Sequence, residues 1–434
     1  METKIIYRKP LGNPDRKYRQ DKFMISSCKA WGAGFVDSAD NIRRCIQICK
    51  ELGCDMTEHI WASPELTREC IMACEEYGID GVFVSWDAFG SFERRKRDNK
   101  INFEKLEEFM NFAKKYKHFY GYNIWDEPLP PENIAAAREQ LDIIEGMDPG
   151  KMTYTVAIPC VNTDYTWENG LFEDYMERYT KVINPAIMAL DHYPFAAQRS
   201  EPFDQLDNHN IFLDIAVTRR LGLEIEAPMW FCIQCHDSPF MERYYRFTPE
   251  KMNMQANNVL IHGGKAIQLY DTVEGAVYND GRKGPMYFPI LEMNKRLHQW
   301  GKTVMALTSE HVFHSPELLR DNKDFEKYRE PLTNSKILAD KELPFRCSAG
   351  ELTDSEGNRY MIIMNRDYNV ARKFNLNLQK DFRVYAVSDF DGTQSVKHNK
   401  TKKLSLELAP GAAVFLRFQD VKEKAFLIDY VLEA

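Results

Sequence analysis

The sequence predicts an α/β fold, a (β/α)₈ barrel of eight parallel strands, followed by a small all-β sandwich. Three observations carry this. Over the first ~310 residues short apolar runs alternate with amphipathic helical stretches, and the alternation counts to eight. Farther along, the helical period gives way to two-residue alternation. A chain of 434 residues is also too long for one ordinary domain, yet suits a barrel with about a hundred residues added.

The eight strand candidates are residues 23–27, 54–60, 81–85, 120–125, 152–158, 186–190, 228–233 and 266–270. Each is short and apolar on both faces, as a parallel strand covered by helices must be. Between them, Ile42, Cys45, Ile46, Cys49 and Leu52 form one apolar helical stripe, and Leu106, Phe109, Met110 and Ala113 form another. Ser63-Pro64-Glu65 and Thr248-Pro249-Glu250 each offer a cap oxygen, a proline at the first helical position and an acid near the positive helix end. Gly53, Gly78 and Gly263 mark helix stops, where a left-handed residue is needed. A doubly wound sheet would alternate in the same way, but no glycine-rich phosphate loop follows the first strand.

The barrel is assigned to residues 1–310, a polar connecting segment to 311–343 and the C-terminal β-sandwich with a short apolar tail to 344–434. In the last region Phe374, Leu376 and Leu378 alternate with Asn375 and Asn377, and Leu404, Leu406 and Leu408 with Ser405 and Glu407. Turn signals stand at Glu356-Gly357-Asn358 and Asp391-Gly392.

Composition excludes several classes of partner. A net charge of −8, with lysine and arginine spread along the chain, provides no field for a phosphate backbone, so nucleic acid is not expected. No run approaches the ~20 apolar residues of a bilayer span, so no membrane partner is expected. The polar first twenty residues point to a cytoplasmic protein, or a periplasmic or secreted one if a leader has been removed. Cys45, Cys49, Cys70 and Cys74 sit at helical spacing, as small buried hydrophobes do. Cys232, Cys235 and His236 resemble half of a zinc site, but no second ligand pair stands at a suitable spacing, so neither metal nor cofactor is expected.

Barrel enzymes carry their chemistry at the carboxyl ends of the strands. Trp31, Trp61, Trp86, Trp125 and Trp230 lie in or just after strands one, two, three, four and seven, and Trp167 follows strand five. Trp230, inside its strand, reads as core. The others suit an aromatic cleft wall, where a flat ring covers the apolar face of a sugar. Acids gather there too: Glu58 beside His59, Asp87, Asp126 with Glu127, Asp191, Asp271 and Glu274. Some of these are expected only to cap helices, as Glu127 could for the helix beginning near Pro131. Like charges around one concavity raise each other's pKa, which lets a carboxylic acid stay protonated near neutral pH.

The segment Tyr120-Gly121-Tyr122-Asn123-Ile124-Trp125-Asp126-Glu127-Pro128 is the most specific in the chain. It resembles the strand-four signature of barrel glycoside hydrolases of the large retaining clan, in which an Asn-Glu-Pro run carries the general acid/base; Asp126 replaces the asparagine. Leu190-Asp191-His192-Tyr193-Pro194 on strand six extends the likeness in register. The resemblance implies hydrolysis of an O-glycosidic bond in a carbohydrate substrate, with Glu127 as the acid. It also implies a nucleophilic glutamate at the end of strand seven, where this chain has Gln234. Asp191, two strands from Glu127, is the expected replacement, with Asp271 and Glu274 as fallback. Asp126, Glu58, His59, Trp61, Trp86, Tyr193, Gln234, His236 and Tyr270 are the expected substrate-binding residues. The competing expectation is a sugar-binding barrel that lost catalysis with its strand-seven carboxylate; a lyase or isomerase lacks the metal cluster or phosphate loop it would need. Sugar, anomer, linkage and oligomeric state are not legible in the residues.

Overall fold

The computed structural model describes residues 1–27, 38–59, 63–83, 101–129, 131–160, 172–195, 211–235, 247–270, 275–278, 282–320 and 325–433, with the side chains of 59, 319 and 320 excepted. A first strand, β1 (Glu2–Arg8), precedes the barrel. The barrel strands are β2 (Met24–Ser27), β3 (Met56–His59), β4 (Asp80–Phe83), β5 (Phe119–Asp126), β6 (Met152–Ala157), β7 (Met188–His192), β8 (Met229–Gln234) and β9 (Ala266–Tyr270). All neighbours are parallel, and β9 pairs back onto β2 with Met24 opposite Ala266, so the sheet closes. Closure removes both edges and rules out the doubly wound alternative. All eight strands lie within a few residues of the stretches chosen for their short apolar character.

Helices α1 (Ala39–Glu51), α2 (Pro64–Tyr77), α3 (Phe103–Ala113), α4 (Pro131–Met147), α5 (Phe172–Ile183), α6 (Ile211–Glu224), α7 (Pro249–Ile261) and α8 (Tyr287–Val304) accompany the strands. Ser63 and Thr248 cap α2 and α7, accepting from the amides of Leu66 and Lys251, and Gly78 ends α2 in the left-handed conformation. The helix stripes and the outward faces of the strands share one core, in which Cys45, Cys49, Cys70 and Cys74 are fully buried. At Gly121 an added Cβ would lie 2.2 Å from the Met152 carbonyl oxygen, so only glycine lets β5 and β6 approach there.

Inside the cylinder the lower layer is apolar: Met24, Met56, Val82, Met152, Trp230 and Ala266 fill it. The layer above is polar. Glu58 of β3 accepts from the amides of Asn123 (2.5 Å) and Gln268 (3.0 Å), and the Tyr154 hydroxyl donates to Gln268 Oε1 at 2.7 Å.

The second region is a six-stranded antiparallel sheet built from β10 (Thr308–His314), β11 (Cys347–Thr353), β12 (Arg359–Asn365), β13 (Arg372–Val387), β14 (Gln394–Leu408) and β15 (Ala413–Asp420), ordered β10-β11-β12-β15-β13-β14. The expected sandwich is therefore one hydrogen-bonded sheet. Register shifts after Asn377 and around Phe382 interrupt the long β13/β14 ribbon, as bulges do where strands bend. Phe374, Leu376, Leu404 and Leu406 share a core with Cys347, Met361, Ile363 and Leu416 of the other strands. β10 lies in a stretch whose polarity reads as a connection, because it is an edge strand with Thr308 and Glu310 facing solvent. The opposite face of the sheet, with Tyr360, Ile362 and Phe415, joins the barrel core. There α7 comes so close to β11 that a Cβ on Gly350 would lie 1.9 Å from the Ile261 carbonyl oxygen. The apolar tail is a strand as well: β16 (Phe426–Leu432) pairs in parallel with β1. No local pattern in either segment indicates a partner more than 400 residues away.

Candidate active site

Strand β5 delivers Glu127. Its pairing with β6 slips between Asn123 and Trp125, a bulge that changes the direction of the side chains beyond it. The Glu127 amide then donates to the Val156 carbonyl at 3.0 Å, and the residue adopts φ = 51°. A non-glycine residue in the left-handed region costs roughly 1–2 kcal/mol, strain that persists only where the surroundings impose it. The side chain is half-buried beside a buried Asp126.

Strand β7 delivers Asp191, which is 9% exposed. The Tyr193 hydroxyl donates to Asp191 Oδ2 at 2.7 Å. Tyr193 in turn stacks on Tyr270 from the end of β9, with ring centroids 4.1 Å apart and planes at 20°. Both rings are half-buried, so β7 and β9 together present a flat aromatic surface beside Asp191.

The two acids share a neighbour that sequence reading missed. Tyr175 of α5 is buried, and its oxygen accepts from the Ile158 amide just past β6. Burial raises its pKa well above the usual tyrosine value, the nearby Tyr179 adds to the rise, and the negative charges of Glu127 and Asp191 both contribute. One hydroxyl behind the end of β6 is thus within electrostatic reach of both carboxylates. Tyr175 sits on an amphipathic helix face, where its apolar periodicity conceals this placement.

Other expected site residues fall into three groups. Glu58 is 1% exposed and held by Asn123 and Gln268, which makes it part of the floor beneath the strand ends. Gln234 is 2% exposed, and its Oε1 accepts from the Phe195 amide at 3.0 Å, anchoring the chain that leaves β7. Trp61, Trp86, His236, Asp271, Glu274 and the His59 side chain lie outside the described residues, as do Trp31, Asp87 and Trp167. Trp125 corrects the expectation of a cleft wall: at 1% exposure it packs in the core between strands and helices, next to the bulge.

A second polar cluster lies behind this site. His192, facing away from Asp191 by strand alternation, places Nδ1 2.5 Å from Asp214 Oδ2 in the first turn of α6. Asp214 Oδ1 also accepts from the Cys160 amide at 3.2 Å. Cys160, His192 and Asp214 each offer a ligand atom within 4.8 Å of the other two.

A closed eight-stranded barrel with a C-terminal antiparallel sheet is a fold found among carbohydrate-cleaving enzymes, and solved structures give the particulars. A glycoside hydrolase family 5 protein from Bacteroides vulgatus matches 96% of this chain over 94% of its own, with a TM-score of 0.56 and 11% identity. A family 27 β-L-arabinopyranosidase from Geobacillus stearothermophilus, in complex with arabinose, matches 92% over 97% of its own chain (TM-score 0.50, 8% identity). A putative α-galactosidase/melibiase from Bacteroides fragilis matches 92% over 80% (TM-score 0.50, 10% identity). At such identities the likeness is one of fold. No protein-family profile matches the chain, and no curated protein matches it in sequence. Among the described residues no helix is long and apolar enough to cross a membrane.

Proposed function

We propose that the chain hydrolyses an O-glycosidic bond of a carbohydrate, with Glu127 as general acid and Asp191 as nucleophile or base. The observation that supports this reading is the barrel register: Asp126 lies opposite Val156 of β6 and Val156 opposite Ala189 of β7, so Glu127 and Asp191 stand at the same end of strands separated by one stave. Glycosidic cleavage needs such a pair: one carboxyl group protonates the departing oxygen while the other attacks the anomeric carbon or activates water. Their surroundings suit different roles. Asp191 accepts a hydrogen bond from the Tyr193 hydroxyl, whereas the strand end holds Glu127 in a left-handed backbone conformation. The Tyr193/Tyr270 surface provides an apolar platform for a pyranose ring.

The test is release of aglycone from a panel of aryl glycosides by the unsubstituted chain and by Glu127→Gln and Asp191→Asn. Each substitution is expected to lower kcat by orders of magnitude while calorimetric sugar binding survives. Full turnover in both variants would remove the assignment. A second reading has one observation in its favour: Gln234 stands where the resembled clan has its nucleophile, and its amide oxygen is committed to the Phe195 backbone. On that reading the unsubstituted chain binds sugars and cleaves none of the panel.

A further inference from the structure

We propose that the free edge of β1 pairs with the same edge of a second copy of this chain, joining two molecules across a two-fold axis at Ile5. β1 runs in parallel with β16 and, among the described residues, with no other strand. The Arg8 carbonyl accepts from the Glu433 amide at 2.9 Å, so the main-chain groups of Arg8 point to β16. These groups alternate sides along a strand. Those of Glu2, Lys4 and Ile6 therefore also face β16, while those of Thr3, Ile5 and Tyr7 face the other edge.

Such an edge is a template for another strand, and proteins ordinarily blunt it with a charge, a proline or a bulge. β1 has no proline, and its register with β16 is unbroken. Ile6 is buried against the molecule, so Thr3, Ile5 and Tyr7 turn uncharged side chains away from it, with Ile5 54% and Tyr7 60% exposed. The charged side chains of the strand are drawn onto their own molecule. Lys4 pairs with Glu356, Glu2 accepts from Lys424 at 2.9 Å, and Arg8 donates to the Asp21 carbonyl at 2.5 Å.

The residues of β1 select a second copy as the occupant. Antiparallel pairing along this edge sets odd-numbered residues against odd-numbered ones, because only those present free main-chain groups. A register centred on Lys4 sets that lysine against the partner's Lys4, and one centred on Ile6 sets it against the partner's Arg8. Like charges directly opposite are destabilising. Centred on Ile5, all seven residues pair, Glu2 faces the partner's Arg8, and Ile5 meets the partner's Ile5. Thr3 and Tyr7 then exchange hydrogen bonds with the partner's Tyr7 and Thr3, which with the Ile5 pair makes about six. The two ribbons become one sheet ordered β16-β1-β1-β16, each copy using the same surface, as a two-fold demands. One strand a side is a small interface, so the dimer is weak and forms in the micromolar range. Nothing in this depends on the chain being a glycosidase.

The experiment is sedimentation velocity of the full chain over a concentration series, where a monomer–dimer equilibrium in the micromolar range is expected. Because Ile5 faces its own copy, Ile5→Lys and Ile5→Glu are each expected to weaken dimerisation by about 100-fold, and an equimolar mixture of the two to regain it. Ile5 is exposed in the single chain, so both variants are expected to fold as the unsubstituted chain does. A chain that stays monomeric throughout the series, a dimer that survives both substitutions, or a mixture of variants that stays monomeric would each overturn the proposal. Should a charged variant not fold, Ile5→Pro decides: it deletes an amide on the free edge alone, and a dimer that persists in it unweakened overturns the pairing.

Discussion

The two mouths of the barrel are built on opposite principles. At the amino ends of the strands, polar groups are consumed in packing. The Trp230 indole donates to Gln20 Oε1 at 2.8 Å, and Gln20 Nε2 donates to the Lys22 and Lys265 carbonyls, both at 2.8 Å. The hydroxyls of Tyr18 and Tyr120 meet at 2.8 Å. A cavity of about 650 Å³ opens nearby, lined in part by Tyr18, Asp80, Tyr120 and Lys151. Two of its charged groups are engaged: Lys151 bonds the Phe119 carbonyl, and Asp80 accepts from His118 at 3.0 Å. At the carboxyl ends there is a strained Glu127, a half-exposed aromatic stack and two acids acting on one hydroxyl. The contrast is between an end whose polar groups are spent on packing and an end that holds a strained carboxylate beside an aromatic surface.

Substitutions at the two mouths should separate accordingly. Glu127→Gln is expected to lower kcat on a cleaved glycoside by ~10²–10⁴-fold with an unchanged melting temperature, read by steady-state kinetics beside calorimetry. A parallel fall in melting temperature would make Glu127 a structural residue. Trp230→Ala at the amino-terminal mouth is expected to cost about 3–5 kcal/mol in urea unfolding, since it removes a buried indole and orphans Gln20. A cost below about 1 kcal/mol would show that this mouth is not a packed plug.

The junction with the C-terminal sheet gives an effect of a few kcal/mol that depends on pH. His262, buried, and His314, half-buried, lie 5.6 Å apart between ring centroids, near Arg219 and Arg366. Burial lowers the His262 pKa to about 3; burial, then His262 and Arg366, push His314 well down. Both are neutral in the folded protein and gain protons first on unfolding. Their contribution is therefore intact above the unfolded value of ~6.5 and lost as pH falls toward the folded values. Urea midpoints measured between neutral pH and pH 4 should fall, and the fall should shrink in a His314→Gln variant. The smallest effect has the opposite sign. Glu127→Gly relieves the left-handed strain and is expected to raise stability by about 0.5–1 kcal/mol while removing activity. Loss of stability would mean that the Glu127 side chain holds the strand end in place.

Much of the barrel was legible because each unit announces itself locally. The stripe of Ile42, Cys45, Ile46 and Cys49, the caps at Ser63 and Thr248 and the stop at Gly78 depend on neighbours within a few residues, and all appear in the structure. Trp125 was misplaced because an indole at a strand end suits a core and a cleft equally, and only the bulge after Asn123 distinguishes them. β10 was passed over because an edge strand carries polar side chains, and the β1/β16 pair because its partners are brought together only by the finished fold.

The residues themselves determined the number of strand–helix units, the helix limits and Glu127 and Asp191 as the acids to examine, since hydrophobic period and strand-end position are written in adjacent positions. Only the tertiary structure decided that the strands close, that the C-terminal strands form one sheet and that Tyr175 lies within reach of both acids. It also brought Cys160 beside His192 and Asp214. The reason is physical: those relations join segments tens to hundreds of residues apart, and no local preference encodes a contact that exists only after the chain between its ends has folded.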